Sequence, residues 1–381
     1  MQDIQVITAH FHGVKMFLAQ LLRGPGLAEK MYVAVAKWLS WLPGGLMHAN
    51  IGSSAIFAAT SGSSVATAAT IGTVAYPEIE KRGYKESLFL GSIAAGGTLG
   101  ILIRPSVILI VYGVLTQTSI PELYLAGILP GILLSILFSA VIVVVCLINP
   151  SYSGKKESST WSERMRVLLD LIRPFLLFLG VVGSIYAGIA TPTEAASFGV
   201  VFALGLAWWE KKLTVRMLLL CFENTVKTTA MIMLIIFAAM ILNVVIGYMG
   251  VIQSATAFIQ TLGLSPLETL VILVVFYLLL GMFMETFSMM LTTIGLVFPL
   301  MMSLGYDAVW FGILLTILME IALITPPIGV NLFVVQGIRS KGGAFNEVCI
   351  GALPFVAMML LLIVLITIFP EIVVWLPNKF Y

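Results

Sequence analysis

Long apolar runs with at most one charged residue each are the feature that most restricts how this chain folds. They lie at residues 86–103, 122–148, 174–193, 228–250, 266–284, 286–304, 308–338 and 348–370. A helix needs roughly 20 apolar residues to cross the hydrocarbon core of a bilayer. The chain is 60% hydrophobic and 10% charged, whereas a soluble domain carries about 25% charged residues. The sequence therefore predicts an all-α polytopic membrane protein.

Four residues recur at one constant spacing, which indicates an internal duplication (for example, 299 − 77 = 222). The pairs are Pro77 and Pro299, Gly83 and Gly305, Tyr84 and Tyr306, and Pro105 and Pro327. Around each set, an apolar segment, a turn and a proline-interrupted apolar segment follow in the same order. This organisation is typical of secondary transporters that are built from two related halves.

The placement of basic residues predicts that the two halves have opposite orientations. Lys and Arg cluster at residues 81–85, 155–173, 211–227 and 339–341, and they are absent from turns 117–121, 191–196, 248–266 and 302–308. Because Lys and Arg are enriched in cytoplasmic loops, the first set is assigned to the cytoplasm and the second to the outer side. The number of predicted membrane spans between successive basic clusters agrees with this assignment. The corresponding segments of the two halves then start on opposite sides of the membrane, so we predict an inverted repeat.

Each half is predicted to contain a hairpin followed by a broken helix. Segments 43–80 and 266–302 have both ends on one face of the membrane. They are interpreted as re-entrant helical hairpins, although two tightly paired full spans would give the same parity. Proline removes a helix hydrogen bond, and the helices 86–118 and 308–338 are therefore predicted to break at Arg104-Pro105-Ser106 and Thr325-Pro326-Pro327.

The predicted organisation follows from these elements. The first repeat is 26–148, with an interfacial arm helix, hairpin 43–80, broken helix 86–118 and span 122–148. A cytoplasmic linker, 149–166, precedes the second repeat, 167–381, with spans in 167–248, arm helix 250–264, hairpin 266–302, broken helix 308–338 and span 346–370.

Residues 1–25 do not fit the repeat. The spans expected within 167–222 have no counterpart in the first half, and Asp3, His10, His12 and Lys15 make the first 22 residues a poor membrane helix, because charged residues at a helix centre oppose insertion. We therefore expect a truncated or frame-altered amino terminus.

Polar residues at the predicted hairpin tips and helix breaks are the candidate site. Hydroxyl and free carbonyl oxygens suit sodium, and the positive amino ends of half-helices suit a carboxylate. Candidate sodium ligands are Ser61, Ser63, Ser64, Thr98, Glu320, Thr325 and Asn331; candidate substrate contacts are Arg104, Ser106, Glu285 and Thr286.

Structural roles are kept open for several of these residues. Glu285 fits a helix-capping carboxylate equally well, and Glu320 could pair with a neighbouring helix. The serine run could serve close helix packing. Arg104 could pair with a buried Glu or mark a damaged sequence.

Other function classes are not supported. The three histidines lie upstream of the Gly-Ser-Ser motifs at 52–54 and 62–64 and outside any convincing span, which disfavours an intramembrane serine protease. Walker and haem motifs are absent. The three cysteines are far apart and suggest neither disulfide nor metal site. The net charge of +2 does not suggest nucleic acid. We expect no catalytic residues, no cofactor and no metal other than sodium.

Several motifs resemble the large membrane subunit of tripartite ATP-independent periplasmic (TRAP) transporters. They begin at Leu42 (Leu-Pro-Gly-Gly-Leu), Ala55 (Ala-Ile-Phe-Ala-Ala-Thr-Ser-Gly-Ser-Ser-Val-Ala-Thr), Pro77 (Pro-Glu-Ile-Glu-Lys-Arg-Gly-Tyr), Gly97 (Gly-Thr-Leu-Gly-Ile-Leu-Ile), Gly281 (Gly-Met-Phe-Met-Glu-Thr) and Glu320 (Glu-Ile-Ala-Leu-Ile-Thr-Pro-Pro-Ile-Gly-Val-Asn-Leu-Phe). The resemblance runs from about residue 17 to the end. The first break reads Arg104-Pro105 where the family typically has two prolines.

This resemblance implies a sodium-driven elevator-type importer of the bacterial inner membrane. Its substrate would be an organic acid such as a C4-dicarboxylate, keto acid or sugar acid. The implied partners are a small four-helix membrane subunit and a periplasmic substrate-binding protein. Carried over to this sequence, the implied sodium sites cover residues 61–64, including Gly62, together with Thr98 and residues 320–331, including Pro326.

Two alternatives to this function are left open. The missing spans and Arg104 are also expected of an inactive truncated remnant or a membrane scaffold. A related secondary transporter that works without a binding protein would share the same repeat.

Overall fold

Two helical hairpins and two interrupted helices follow in the same order in the two halves of the computed structural model. The structure describes residues 27–61, 63–102, 106–155, 160–168, 172, 180, 183, 192–209, 213–250, 254, 263–340 and 342–380. The predictions for 1–25, for Gly62, for Arg104 and for most of the arm 250–264 lie outside these residues.

The described residues are helical with short connections, which confirms the all-α prediction. The helices of the first half are Leu27–Leu39, Leu46–Ser61, Ser64–Arg82, Glu86–Leu102, Val107–Thr116, Ile120–Ala126 and Ile128–Ile148. Those after the linker are Pro192–Trp209, Val215–Tyr248, Pro266–Gly281, Thr286–Ser303, Ala308–Leu323, Val330–Ile338, Phe345–Ile368 and Glu371–Phe380.

Four stretches in the described part of the chain are long and apolar enough to cross a membrane. They are Glu86–Thr116, Ile120–Ile148, Thr286–Ser303 and Phe345–Ile368. Shorter apolar helices, Pro266–Gly281 and Ala308–Leu323, accompany them. The re-entrant placement of the hairpins and the inverted orientation of the halves stay predictions.

The 222-residue spacing extends to the helix boundaries. Helix starts at Ser64 and Glu86 correspond to starts at Thr286 and Ala308. We call Leu46–Ser61 with Ser64–Arg82 the first hairpin, and Pro266–Gly281 with Thr286–Ser303 the second hairpin. The two interrupted helices correspond to within one residue, since each resumes after its interruption, at Val107 and at Val330 (330 − 107 = 223).

The centre of the fold consists of the first segments of the two interrupted helices. Every residue from Leu88 to Leu102 and from Val309 to Leu323 is buried, and the two segments contact each other. A helix that is apolar on all sides belongs in the interior of a large protein or a membrane bundle. The first hairpin packs on Glu86–Leu102, and the second contacts both Ala308–Leu323 and Val107–Thr116. The halves therefore interlock around these two segments.

Some helix boundaries differ from the sequence prediction. The span predicted at 122–148 begins at Ile120 and is divided at Gly127. The helix predicted from residue 228 begins at Val215 and runs for 34 residues. In the charged first part of this helix, the Lys227 ammonium pairs with the Glu223 carboxylate at 2.6 Å. The helix Glu371–Phe380 was not expected from the sequence.

A buried arginine joins three helices near the end of the second interrupted helix. The Arg339 side chain is only 1% exposed, and its guanidinium lies 2.8 Å from the Glu86 carboxylate and 2.6 Å from that of Glu347. It also donates to the Ala344 carbonyl at 3.1 Å. Glu86 and Glu347 belong to the first turns of two other helices. Arg339 therefore connects the interrupted helices of both halves with the last long span.

We expect Arg339→Gln to lower the free energy of unfolding by about 1–3 kcal/mol. The reason is that the Glu86 and Glu347 carboxylates would lose their ion pairs with the buried guanidinium. Thermal unfolding of the purified chain in detergent measures the effect. Lys81→Gln is the matched control, since Lys81 pairs with Glu78 while 67% exposed, and exposed pairs contribute about 0–1 kcal/mol. Equal melting temperatures for the two variants would contradict this role of Arg339.

Candidate functional site

A cavity of about 480 Å³, counted with its open mouth, lies where the two hairpin tips meet the first helix break. The first hairpin contributes Ser63, Ser64 and Val65; the first interrupted helix contributes Ile101, Ser106, Val107 and Ile108; the second half contributes Glu285, Thr286, Phe287 and Leu323. Both halves of the repeat therefore build one site.

Three helices begin at this cavity, and each begins with a side-chain cap. The Ser63 hydroxyl oxygen accepts a hydrogen bond from the Ala66 amide at 3.2 Å, at the start of Ser64–Arg82. The Ser106 oxygen accepts from the Ile108 amide at 3.1 Å, at the start of Val107–Thr116. These residue types are favoured at helix starts because their oxygens satisfy amides that have no partner within the helix.

Glu285 caps the third helix. Its carboxylate accepts a hydrogen bond from the Ser288 amide at 3.1 Å, at the start of Thr286–Ser303. The capping role that the sequence left open for Glu285 is therefore present in the structure. Its side chain is exposed at the cavity, so capping and contact with a ligand are compatible.

The three helix starts at the cavity favour an anion, whereas the Glu285 carboxylate there disfavours one. The amino end of a helix carries about half a positive charge and presents backbone amides that lack partners. Three such ends lie in one cavity wall. The Thr286 side chain is 4% exposed and lines the cavity, and its hydroxyl makes no hydrogen bond to any residue that the structure describes. It is therefore a free donor beside the helix ends.

Behind the first tip lies a buried carboxylate. Glu320 is 1% exposed, and the Ser64 hydroxyl lies 3.4 Å from each of its carboxylate oxygens. Ser64 belongs to the first half and Glu320 to the second, so this contact crosses between the repeats. Ionisable groups inside membrane proteins are costly and are retained mainly for function.

A second buried group, Asn331, faces the same hairpin. Its amide nitrogen donates to the Ala94 carbonyl at 3.2 Å, and none of the described residues donates to its Oδ1 atom. A Cβ atom added to Gly97 would lie 3.0 Å from both the Asn331 amide nitrogen and the Ser64 carbonyl oxygen. The absence of a side chain at Gly97 therefore lets Asn331 and the first hairpin tip come close to each other.

The structure separates the candidate residues into three groups. The cavity holds Ser63, Ser64, Ser106, Glu285 and Thr286. The buried region behind it holds Glu320, Asn331 and Thr98, whose hydroxyl donates to the Ala95 carbonyl at 2.7 Å. The third group is divided. Thr325 and Pro326 lie at the second break, whereas the Ser61 side chain, Gly62 and Arg104 lie outside the described residues.

Thr325 follows the helix Ala308–Leu323, and its hydroxyl donates to the Ile321 carbonyl of that helix at 2.7 Å. Sequence reasoning also missed the apolar part of the cavity, formed by side chains such as Ile101, Phe287 and Leu323. The sequence does contain a signal for these apolar side chains. Val65 and Phe287 are related by the repeat spacing, and each is the second residue of a helix that starts at a hairpin tip.

The residues that the structure describes contain no group of three or more His, Cys, Asp or Glu side chains that could hold a metal ion. This concerns clustered ligands such as those of zinc sites. Carbonyl oxygens, such as the unpartnered Asn331 Oδ1 atom, are the type of ligand that alkali cations take in transporters.

Comparisons with known proteins identify the family. The model of the family "Tripartite ATP-independent periplasmic transporter, DctM component" matches residues 1–372. The C4-dicarboxylate TRAP transporter large permease protein DctM of Vibrio cholerae is 33% identical, over 93% of this chain and 82% of its own length. The ectoine/5-hydroxyectoine TRAP transporter large permease protein UehC of Ruegeria pomeroyi is 31% identical, over 95% and 84%.

A solved structure shares the fold. The YdaH transporter of Alcanivorax borkumensis superimposes with a TM-score of 0.60 over 96% of this chain and 87% of its own, at 15% identity. The family match, the permease relatives and the apolar helices agree with one another. The chain therefore belongs to the DctM family of tripartite ATP-independent periplasmic transporters, and it is a multi-pass permease of the inner membrane rather than an enzyme.

Proposed function

We propose that this chain is the permease subunit of a sodium-coupled secondary transporter that imports a carboxylate. The observation that carries the proposal is the convergence of three capped helix starts, two of them at hairpin tips, on one cavity. A carboxylate placed there would accept hydrogen bonds from Thr286 and Ser106 and would be stabilised by the helix dipoles. Several permease relatives carry names of organic-acid transporters, which agrees with this substrate class.

Sodium coupling is supported by the buried oxygens next to the cavity. The Asn331 Oδ1 atom has no partner among the described residues, and the Asn331 amide nitrogen and the Ser64 carbonyl oxygen both lie close to Gly97. A sodium ion bound at Oδ1 beside the tip would tie the first hairpin to the second interrupted helix. Ser64 also contacts the Glu320 carboxylate, so the occupancy of the cation site and the position of the tip would depend on each other.

The partners follow from this assignment. We propose that a periplasmic binding protein delivers the substrate and that a small four-helix membrane subunit packs beside the permease. Exposed apolar side chains on Pro192–Trp209 and Val215–Tyr248, such as Phe198, Trp208 and Leu234, are suited to lipid or to such a subunit. In an elevator-type mechanism, the hairpins and interrupted helices would move together relative to these outer helices.

Uptake into proteoliposomes that contain the chain with both partners tests the proposal. We expect accumulation of a labelled carboxylate under an inward sodium gradient, and at least about tenfold less accumulation when potassium replaces sodium. The reason is that the coupling free energy between two bound ligands typically amounts to a few kcal/mol. Vesicles without the permease serve as the control. Equal uptake in both salts would remove the coupling, and absence of uptake in both would favour the inactive remnant.

A further inference from the structure

We propose that the cavity takes a monocarboxylate with an apolar body, rather than a dicarboxylate or a polyhydroxylated acid; this inference rests on the proposed function. The cavity has one polar region and one apolar region among its described lining residues. The polar region is the set of helix starts with Ser106 and Thr286, and the apolar region is formed by Val65, Ile101, Val107, Ile108, Phe287 and Leu323.

The polar region fits one carboxylate. Free amides at the helix starts and the unpartnered Thr286 hydroxyl provide donors for a single anionic group. Ser106 is completely buried, and its oxygen already accepts a hydrogen bond from Ile108, so its hydroxyl hydrogen remains to be donated. The donors are concentrated where the three helices begin.

The apolar region disfavours a second polar group. Aliphatic and aromatic side chains offer no hydrogen bonds to a second carboxylate or to a row of hydroxyls, and a polar group removed from water without a partner is strongly disfavoured. The only charged side chain in the described lining, Glu285, is itself a carboxylate. A second negative charge on the substrate would therefore gain no counter-ion from these residues.

Two keto acids of nearly the same shape test the inference. α-Ketoisocaproate and α-ketoglutarate share the keto-carboxylate end, but the first ends in an isopropyl group and the second in a carboxylate. Each is titrated against the purified full-length chain in detergent and sodium, and thermal stabilisation gives the apparent affinity. Because the permease is assayed alone, selection by a binding protein does not enter. We expect α-ketoisocaproate to bind at least about tenfold more tightly.

Variants locate the two ends of the ligand. Thr286→Val removes the free hydroxyl at constant shape, and we expect it to weaken both acids to a similar extent. Val107→Thr places a hydroxyl in the apolar region, and we expect it to reduce the preference for α-ketoisocaproate several-fold. Val114→Thr, on the same helix but outside the cavity lining, is the matched control and should leave the preference unchanged. Melting temperatures without ligand show that each variant is folded.

Two results would overturn the inference. Equal or tighter binding of α-ketoglutarate excludes an apolar-bodied substrate while leaving the carboxylate site in place. If that binding disappears in Arg104→Ala, the second carboxylate is held by Arg104, which adjoins the described lining in sequence. Stabilisation by neither acid rejects the proposed site itself and therefore also this inference.

Discussion

Asn331→Leu should abolish most of the sodium stimulation of uptake, raising the sodium concentration for half-maximal transport by at least about tenfold. The reason is the orphaned Oδ1 atom of a residue that is completely buried. Leaving a buried acceptor unpaired costs about 1–3 kcal/mol, and a sodium ion bound at Oδ1 would supply the missing partner. Leucine fills a similar volume and supplies no oxygen.

The sodium dependence of uptake in proteoliposomes measures this effect, and Asn50→Leu is its matched control. Asn50 is also completely buried, but both ends of its amide are occupied: Tyr32 donates to Oδ1 at 3.0 Å, and Nδ2 donates to Ser92 at 2.8 Å. We expect Asn50→Leu to lower the melting temperature and to leave the sodium dependence unchanged. A normal sodium dependence in Asn331→Leu would exclude Asn331 as a cation ligand.

Gly351→Ala should lower the melting temperature by several degrees. A Cβ atom on Gly351 would overlap the Ser87 carbonyl, and one on Gly91 would overlap the Gly351 carbonyl. The helices Glu86–Leu102 and Phe345–Ile368 therefore touch backbone to backbone, as small residues allow in membrane bundles. Overpacking of this kind costs about 1–3 kcal/mol or more, which corresponds to several degrees.

Thermal unfolding in detergent measures the loss, and Gly337→Ala is the control. Gly337 is also helical, but a Cβ atom there would have no neighbour within 4 Å. Alanine is a better helix former than glycine by about 1 kcal/mol, so this variant should be at least as stable as the original chain. A similar destabilisation of both variants would mean that helix packing at Gly351 is not the cause.

The hairpin tips and the helix breaks were accessible from sequence because local residues determine them. Proline at 326 and 327 interrupts the second long helix between Leu323 and Val330. Ser63 and Glu285 are both residues whose side chains cap a following helix. Repetition at a constant spacing then showed that the two tips are equivalent elements.

Contacts between distant segments were not accessible in the same way. The hydrogen bond between Asn331 and Ala94 joins residues 237 positions apart, and the Ser64–Glu320 contact spans 256 positions. Periodicity and proline placement describe each helix separately, so they do not show which faces meet. For the same reason the apolar side of the cavity, with Phe287 and Leu323, was not expected from motifs that were chosen for their polar atoms.

The caps of the two hairpin tips are equivalent in position but not in charge. The first tip ends in the neutral hydroxyl of Ser63 and the second in the carboxylate of Glu285, and both border one cavity. The two tips therefore expose different capping groups to the cavity, although their backbones occupy equivalent positions in the repeat. Equivalent positions of the duplicated scaffold therefore present different groups to a ligand: an acidic side chain at the mouth of the second tip, and a hydroxyl at the first tip with its acidic residue, Glu320, buried behind it.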